Sequence, residues 1–395
     1  MSKTKRPSKP RPDFPLFPHA TGRWCKKVRG KFVYFGKVAA DPDGQAALVK
    51  WLDQRDDLLA GRTPRVAGVG LTVRDLANRF LMRQKSKVDS GELAVGTFAN
   101  YHETCSRLVE AFGPNRLVAD LDAGDFERLR GKLAAGKASA TLVVKIQLVR
   151  VVFNYATTNL LVSGPIRYGS SFAKPSRKTL RLERAGKPLR MFEAAELRTI
   201  IAEAGTPMRA MVLLGINAGF GPSDVASLPD KALDLQAGWV TFPRPKTGTP
   251  RRCWLWPETV KAIREALDAR PRPKTDAAGL VFVSPSGERL VRAKLGEPNG
   301  DGMPIMWETN AIGKTFGKLL RRLGLHRPGL GHYTLRHTFR TVADATLDFP
   351  AANAIMGHVD ETMASVYRER IDDGRLRAVA EHVRTWLFGD KADSV

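Results

Sequence analysis

Residues 71–162 carry apolar side chains at the three- and four-residue spacing of an α-helix, without the alternation that is typical of a strand. We expect helices to begin at Thr72 and Thr97 and to cover residues 123–133 and 140–160. Each helix has one apolar face, such as the face with Leu76 and Phe80. Such faces can be buried only against one another, which predicts a compact all-α bundle over residues 70–162.

The rest of the chain divides around this bundle. With 395 residues the chain is long enough for two or three domains, each with its own core. The predicted fold is multidomain α+β. We expect a disordered basic tail at 1–20, a β-hairpin with a helix at 21–65, the bundle at 70–162, a basic linker at 163–187, a mixed α/β domain at 188–388 and a tail at 389–395.

The charge of the chain indicates a polyanionic partner. Lys and Arg number 64 against 40 Asp and Glu, a net charge of +24. Cations that neutralise phosphates release condensed counterions, which favours binding to nucleic acid. The three cysteines lie far apart without a CxxC pattern, which argues against a disulfide framework or a zinc site. No apolar run approaches the roughly 18 residues of a membrane span, so we expect a soluble cytoplasmic protein.

Two basic segments are candidates for contact with DNA. Residues 23–36 read as two short strands around a turn at Gly30, with aromatic side chains between cations. The linker is rich in Gly, Pro and Ser and is predicted to be extended. The candidate DNA-binding residues are Arg23, Lys26, Lys27, Arg29, Lys31, Arg177, Lys178 and Arg181. Alternatively, the hairpin only packs on its own helix at 45–59, and the linker is only solvated.

The domain at 188–388 shows a mixed pattern. Helices are predicted at 194–203, 208–217, 223–228, 260–267, 309–323, 334–346, 351–356 and 361–371, and strands at 239–242, 252–255 and 280–283. A last helix at 375–388 has one apolar face. That face could dock on a neighbouring molecule or fold back on its own domain.

One C-terminal segment concentrates chemically useful side chains. It contains Arg336 and His337 in a Leu-Arg-His-Thr-Phe run, His358 after Met-Gly, and Tyr367 nine residues later (367 − 358 = 9). A phenol becomes a nucleophile only when its proton is accepted or its charge is stabilised. Fixed cations stabilise the charge that develops on phosphate oxygens. The segment therefore predicts attack on a phosphodiester by a side-chain oxygen.

This pattern resembles the tyrosine recombinase (phage integrase) family. The resemblance implies an arm-binding-like hairpin, a helical SAM-like core-binding domain and a catalytic domain, acting on double-stranded DNA without metal or nucleotide cofactor. It also implies site-specific recombination or integration through a 3′-phosphotyrosyl intermediate. A tetramer on DNA and association with the nucleoid follow by the same analogy.

The resemblance assigns roles to individual residues. Tyr367 matches the nucleophile and Arg336 the second family arginine. His358 matches the late phosphate-contacting position, and Lys246 in Pro-Lys-Thr-Gly-Thr matches the lysine that protonates the leaving oxygen. His337 follows the arginine as in the family and would support it.

Two positions depart from the family pattern. Gly221 stands where the first arginine belongs, although Asp224 keeps the acidic position. In the His-x-x-Arg motif Tyr333 replaces the histidine, and His332 lies one place earlier. Either side chain could assist. Losing a guanidinium is severe, since one charge-stabilising donor contributes about 10²–10³ in rate. The candidates to replace it are Arg190, Arg209, Arg252 and Arg340.

Three other functions were compared with this one. A phosphate-binding loop at Gly313-Lys314-Thr315 lacks the glycine five residues earlier, where Glu308 stands. A metal-dependent nuclease would need converging carboxylates, whereas the acids here are scattered. A DNA-binding protein with the recombinase fold but no strand cleavage explains Gly221 directly and stays open. The sequence gives no target site and no direction of recombination.

Overall fold

A computed structural model describes residues 8–59, 61, 70–298, 304–359 and 363–389. The chain divides into two compact units between Gly186 and Lys187. This boundary lies one residue from the predicted start of the mixed domain. In the described part of the chain no helix is both long and apolar enough to cross a membrane.

The first unit begins with a small sheet against a helix. The strands pair antiparallel in the order β1-β2-β3, and Arg29 (φ 49°) and Gly30 (φ 83°) form the turn of the predicted hairpin. Phe35 packs on Trp51 of the helix with ring centroids 5.6 Å apart. The elements are β1 Phe17–Pro18, β2 Arg23–Val28, β3 Lys31–Lys37 and α1 Gln45–Leu59.

The predicted disordered tail at 1–20 is wrong at its C-terminal end. Phe14 and Leu16 are buried, and Phe14 packs edge-on against Trp24. Proline disfavours a helix but is compatible with the extended backbone of β1, an edge strand. The apolar side chains between the prolines then complete the core of this sheet. Residues 1–7 lie outside the described part.

Four helices between Val73 and Thr158 share one core. This core contains the apolar stripes of all four helices, with Phe126 and Phe153 fully buried at the centre. The Thr72 hydroxyl accepts a hydrogen bond from the Asp75 N–H and caps the first helix. The helices are α2 Val73–Asp89, α3 Val95–Phe112, α4 Ala123–Ala134 and α5 Ser139–Thr158.

The predicted extended linker is partly folded. Phe172 is buried in the core of the bundle, and its carbonyl accepts a hydrogen bond from Arg150 at 2.9 Å. Residues Arg177–Ala185 form the helix α6, capped by the Ser176 hydroxyl, which accepts from the Thr179 N–H. The Ser-x-x-Thr start and the run of good helix formers after it explain the helix.

The second unit surrounds one large core with helices and two small antiparallel sheets. The strand orders are β4-β5-β6 and β7-β8. The strands are β4 Leu233–Asp234, β5 Trp239–Thr241, β6 Arg252–Trp254, β7 Val291–Pro298 and β8 Pro304–Asn310. The helices are α7 Ala194–Glu203, α8 Met208–Asn217, α9 Pro222–Ala226, α10 Pro257–Asp268, α11 Ala311–Arg322, α12 His332–Ala343, α13 Phe349–Met356, α14 Met363–Val366 and α15 Asp373–Phe388.

Two predicted elements of this unit are wrong. The predicted strand at 280–283 is buried coil with one bridge, between Leu280 and Pro229, because an apolar run marks core position as readily as a strand. The predicted helix at 361–371 is helical only over Met363–Val366 within its described residues, and residues 361–362 lie outside them. The β7–β8 hairpin was not predicted.

The last helix folds back on its own unit. Leu376, Val379, Val383 and Leu387 of α15 are buried in the main core. The Trp256 indole N–H donates to the Ala380 carbonyl at 2.9 Å. Of the two alternatives for this apolar face, the structure therefore has the fold-back.

All three cysteines are reduced and buried. Cys25 lies in the N-terminal sheet, Cys105 in the bundle and Cys253 in β6. Burial raises the pKa of the Cys105 thiol to about 12 and also raises the pKa of Cys25 and Cys253. These thiols are therefore protonated and enclosed.

Candidate active site

The site is built around Arg336 on α12. The side chain is 2% exposed and donates hydrogen bonds to the Gly219 carbonyl at 2.5 Å and the Met356 carbonyl at 2.8 Å. Gly219 has a φ of 63°, a conformation that favours glycine, and follows α8. Burial lowers the pKa of Arg336, and the charge of Arg244 adds to this effect. Two backbone segments therefore hold this guanidinium in one orientation.

His358 comes two residues after Met356, whose carbonyl accepts a hydrogen bond from this guanidinium. Gly357, at φ 62°, ends α13, and the His358 N–H donates to the Asn353 carbonyl at 2.9 Å. Burial lowers the pKa of His358 to about 4, and the charges of Arg336, Arg244 and Arg340 add to the effect. The imidazole is therefore neutral at pH 7.

The two candidates for the family's histidine position, Tyr333 and His332, differ in their exposure to solvent. Tyr333 is 47% exposed, and its ring packs edge-on against His337 with centroids 5.4 Å apart. His332 is 1% exposed and its Nε2 lies 3.1 Å from the Met211 carbonyl. Burial lowers the pKa of His332 to about 4. The expectation that His332 could assist is therefore wrong, because adjacent residues on a helix point in different directions.

Lys246 lies in the loop that joins β5 to β6. The Arg244 N–H donates to the Thr249 carbonyl at 2.8 Å and closes the loop, which leaves Lys246 exposed. Arg244 at the base of the loop lies close to the end of α13, since a Cβ added to Gly357 would be 3.0 Å from the Arg244 Cβ. The base of the loop therefore contacts the site while Lys246 extends from it.

Arg251 is a site residue that the sequence analysis missed. Its Nε donates to the Phe242 carbonyl at 2.9 Å, and its guanidinium carbon lies 3.8 Å from the centre of the Phe220 ring. Its Nη1 lies 3.4 Å from Asp224 Oδ1. Burial lowers the pKa of Arg251 to about 10, against the opposing charge of Asp224. Strand alternation was the available signal, because Arg251 shares a face with the apolar Cys253.

Three of the four arginines that could replace the missing guanidinium have other partners. Arg252 pairs with Asp373 at 2.8 Å, and Arg209 donates to the Ala204 carbonyl at 3.1 Å. Arg340 donates to Asn353 at 2.5 Å and pairs with Asp344 at 2.7 Å. Arg190 lies beside Gly329. The charge of Arg340 also lowers the pKa of His358.

Tyr367 is presented to solvent. It follows α14 in a turn and its side chain is 80% exposed. Its hydroxyl has no hydrogen-bond partner among the described residues. The structure thus brings together Arg336, His358 and Arg251, with Tyr333 at the edge, and leaves Tyr367 outside their hydrogen bonds.

The predicted DNA-binding cations are mostly exposed. On the hairpin Lys26 is half-buried over the Trp51 ring, whereas the neighbouring aromatics Phe32 and Tyr34 remain exposed. One face of the hairpin therefore packs on α1 and the other is open. The exposed cations are Arg23, Lys27, Arg29 and Lys31 on the hairpin and Arg177, Lys178 and Arg181 at α6.

Solved structures of integrases share this fold. A lambda integrase tetramer bound to a Holliday junction is 16% identical, with a TM-score of 0.54 over 94% of this chain and 97% of that chain. The Tn1549 transposon integrase in complex with transposon right end DNA is also 16% identical, with a TM-score of 0.53 over 79% of this chain and 99% of that chain. At these identities the likeness concerns the mixed α/β fold.

The sequence itself identifies the family. Residues 188–373 match the phage integrase family, so this part of the chain is a phage integrase domain. The resemblance drawn from the C-terminal motifs is confirmed. No curated protein shows significant similarity to the chain.

Proposed function

We propose that the protein is a site-specific DNA recombinase that cleaves and rejoins duplex DNA through a 3′-phosphotyrosyl intermediate. The observation that carries this proposal is the fixed Arg336 guanidinium, which donates to the carbonyl of Met356, two residues before His358. A preorganised guanidinium stabilises the charge that develops on a phosphate in the transition state. The match of residues 188–373 to the phage integrase family supports the same reaction.

The reaction is a transesterification at phosphorus. The Tyr367 oxygen forms a bond to the scissile phosphorus, the bond to the 5′ oxygen breaks, and the phenol loses its proton. Lys246 on its exposed loop supplies a proton to the leaving 5′ oxygen. One phosphoester replaces another, so rejoining needs no external energy source.

The remaining site residues bind the phosphate or transfer a proton. His358 is neutral at pH 7, so it can accept the phenol proton or donate one hydrogen bond to a phosphate oxygen. Tyr333 offers a hydroxyl donor at the edge of the site, and His337 supports its ring. This arrangement replaces the family's histidine with a phenol that has the same capacity to donate.

The partner would be double-stranded DNA, bound by the exposed cations of the hairpin and α6. The predicted tetramer on DNA and nucleoid association are part of the proposal. The integrase structures with the same fold contain DNA, and one is a tetramer. The exposed hairpin face, with cations and aromatic side chains together, suits contact with a phosphate backbone.

A nicked suicide substrate tests the reaction. Cleavage near the nick releases a short strand, so rejoining fails and the protein stays linked to the DNA. We expect wild-type protein to form this adduct on a denaturing gel and Tyr367→Phe to form none. Tyr155→Phe is the matched control, since it removes a phenol from the helical bundle, outside the site, and should still form adduct. Tyr367→Phe should still shift the duplex on a native gel.

A binding-only protein with the recombinase fold is the second candidate. It is favoured by Gly221, which leaves the first family arginine absent at its usual position. Wild-type protein that shifts its DNA target but forms no adduct under any condition would establish this alternative.

A further inference from the structure

We propose that Arg251 supplies the second guanidinium of the phosphate site, in place of the family arginine whose position Gly221 occupies. This inference rests on the proposed recombinase function. In that case the glycine at position 221 does not remove a positive charge from the site. The charge comes from the residue before β6 instead of the residue before α9.

The position of Arg251 carries the first part of the argument. Its guanidinium stacks on Phe220, the residue before Gly221, and pairs with Asp224, three residues after it. The same carboxylate accepts a hydrogen bond from the Gly221 N–H at 2.7 Å. The guanidinium therefore lies within the turn that would present an arginine at position 221.

The positive charge of Arg251 acts on Arg336, the central residue of the site. Arg251 Cδ lies 3.5 Å from the position of a Cβ at Gly357, and Arg336 donates to the carbonyl of Met356, one residue earlier. The charge of Arg336 also lowers the pKa of Arg251. Like charges destabilise each other when they are buried together. An anion bound between them would relieve this repulsion, and a DNA phosphate is the anion that the proposed reaction brings.

Unsatisfied hydrogen-bond donors carry the second part. Arg251 is 2% exposed, and neither Nη1 nor Nη2 has a hydrogen-bond partner among the described residues. Nη1 is held near Asp224 only by the ion pair at 3.4 Å. Buried polar groups nearly always form hydrogen bonds, so two nitrogens without a hydrogen bond on one guanidinium indicate a missing acceptor. Two oxygens of one phosphate match this fork.

The residues around Gly221 leave little room for a longer side chain at this position. A Cβ added there would lie 3.1 Å from the Tyr333 ring and 3.3 Å from Asp224 Oδ2. The space next to this backbone is thus used by Tyr333. Glycine at 221, tyrosine at 333 and arginine at 251 therefore fit together, and an arginine at position 221 would compete with Arg251 for the same space.

Contact with DNA requires a local movement. Both terminal nitrogens are enclosed, so the side chains around them must shift when a phosphate enters. Tyr333 borders Gly221 and is about half exposed, so its ring is the part of this enclosure that faces solvent. The rest of the cradle, built from Phe220, Asp224 and the Phe242 carbonyl, can stay in place.

Adduct formation by Arg251→Gln on the nicked substrate tests the inference. The glutamine amide can still donate to the Phe242 carbonyl while the charge is lost. We expect the rate of adduct formation to fall about 10²–10³-fold with little change in DNA affinity. Arg252→Gln is the matched control on the next residue of the strand, and its rate should stay close to wild type. Equal rates for Arg251→Gln and wild type overturn the inference.

A neutral phosphate separates an electrostatic role from a structural one. A methylphosphonate at the scissile position removes the charge that Arg251 would stabilise, so the deficit of Arg251→Gln should shrink on this substrate. A merely misfolded variant would show the same deficit on both substrates, which would overturn the inference. Thermal unfolding of both variants provides a second check on folding.

Relocation of the arginine gives an independent test. We expect Gly221→Arg combined with Arg251→Gln to regain at least tenfold in rate over Arg251→Gln, and Gly221→Ala with Arg251→Gln to regain nothing. Recovery by both double variants equally would contradict the proposal. A wild-type protein without adduct would instead refute the recombinase function itself, so the two failures are distinguishable.

Discussion

Two histidines of the second unit have a pKa near 4 for different reasons. His332 is enclosed in the core beside Phe316, and burial dominates. His358 is half-buried, and three arginine charges add to its burial. Both are neutral at pH 7, but only His358 belongs to the proposed phosphate site. A depressed pKa alone would not have separated the structural histidine from the functional one.

His332 makes stability dependent on acid. Its native pKa of about 4 lies below the unfolded value of 6.5, so the unfolded state binds the proton first as the pH falls. Stability is therefore lost from about pH 6.5 downward, by about 3 kcal/mol at pH 4 for this residue. We expect His332→Gln to reduce the difference between urea midpoints at pH 7 and pH 4.5. His326→Gln, on an exposed histidine, should leave the difference unchanged, and equal behaviour of the two variants would argue against this assignment.

The helix α15 shows how one element closes the core of the second unit. Its apolar face is buried, and Arg384 pairs with Glu258 of α10 at 2.8 Å. The face therefore contributes to folding of its own unit. Any docking of this helix on a neighbouring molecule would have to break these contacts first.

Shortening one side chain of α15 should destabilise the second unit. Leu387 is fully buried, so Leu387→Ala removes packed methyl groups and leaves a cavity. We expect a loss of about 2–5 kcal/mol in the free energy of unfolding, measured by urea denaturation. His382→Ala on the exposed face of the same helix should change it by less than about 0.5 kcal/mol. A small change in the free energy of unfolding for Leu387→Ala would show that the packing of α15 on its own unit contributes little to stability.

Helices with a clear periodicity of apolar residues could be predicted from the sequence more accurately than the residues of the candidate active site. The amphipathic helices of the bundle and α7, α8 and α15 follow from apolar spacing alone. The segment at 280–283 was misjudged because a buried coil and a strand share an apolar run. Arg251 was missed because its importance depends on Phe220 and Asp224, which contact it only in three dimensions. The motif residues Arg336 and His358 could be found because short segments of sequence define them.

The net charge of the whole molecule determines how its affinity for DNA depends on salt. With a charge of +24, binding to DNA should depend strongly on salt. For six to ten phosphate contacts, we expect the Kd to rise about 10³–10⁵-fold between about 50 and 200 mM salt. A flat response in a filter-binding titration would contradict DNA binding through these cations.

The salt dependence can be assigned to particular cations. Lys27→Gln and Lys31→Gln on the exposed hairpin face should each lower the slope of log K against log salt by about one. Lys145→Gln serves as the control, because Lys145 already pairs with Glu103 at 2.5 Å within the bundle. An equal change in slope for Lys145→Gln would show that the effect is one of net charge only.

The three enclosed thiols have a practical consequence for spectroscopy. Because Cys25, Cys105 and Cys253 are buried with raised pKa values, maleimide reagents at neutral pH have no accessible thiolate to attack. A single cysteine introduced on an exposed helix face would then be the one reactive position. Fluorophore pairs could be attached without first removing the native cysteines and disturbing the cores that contain them.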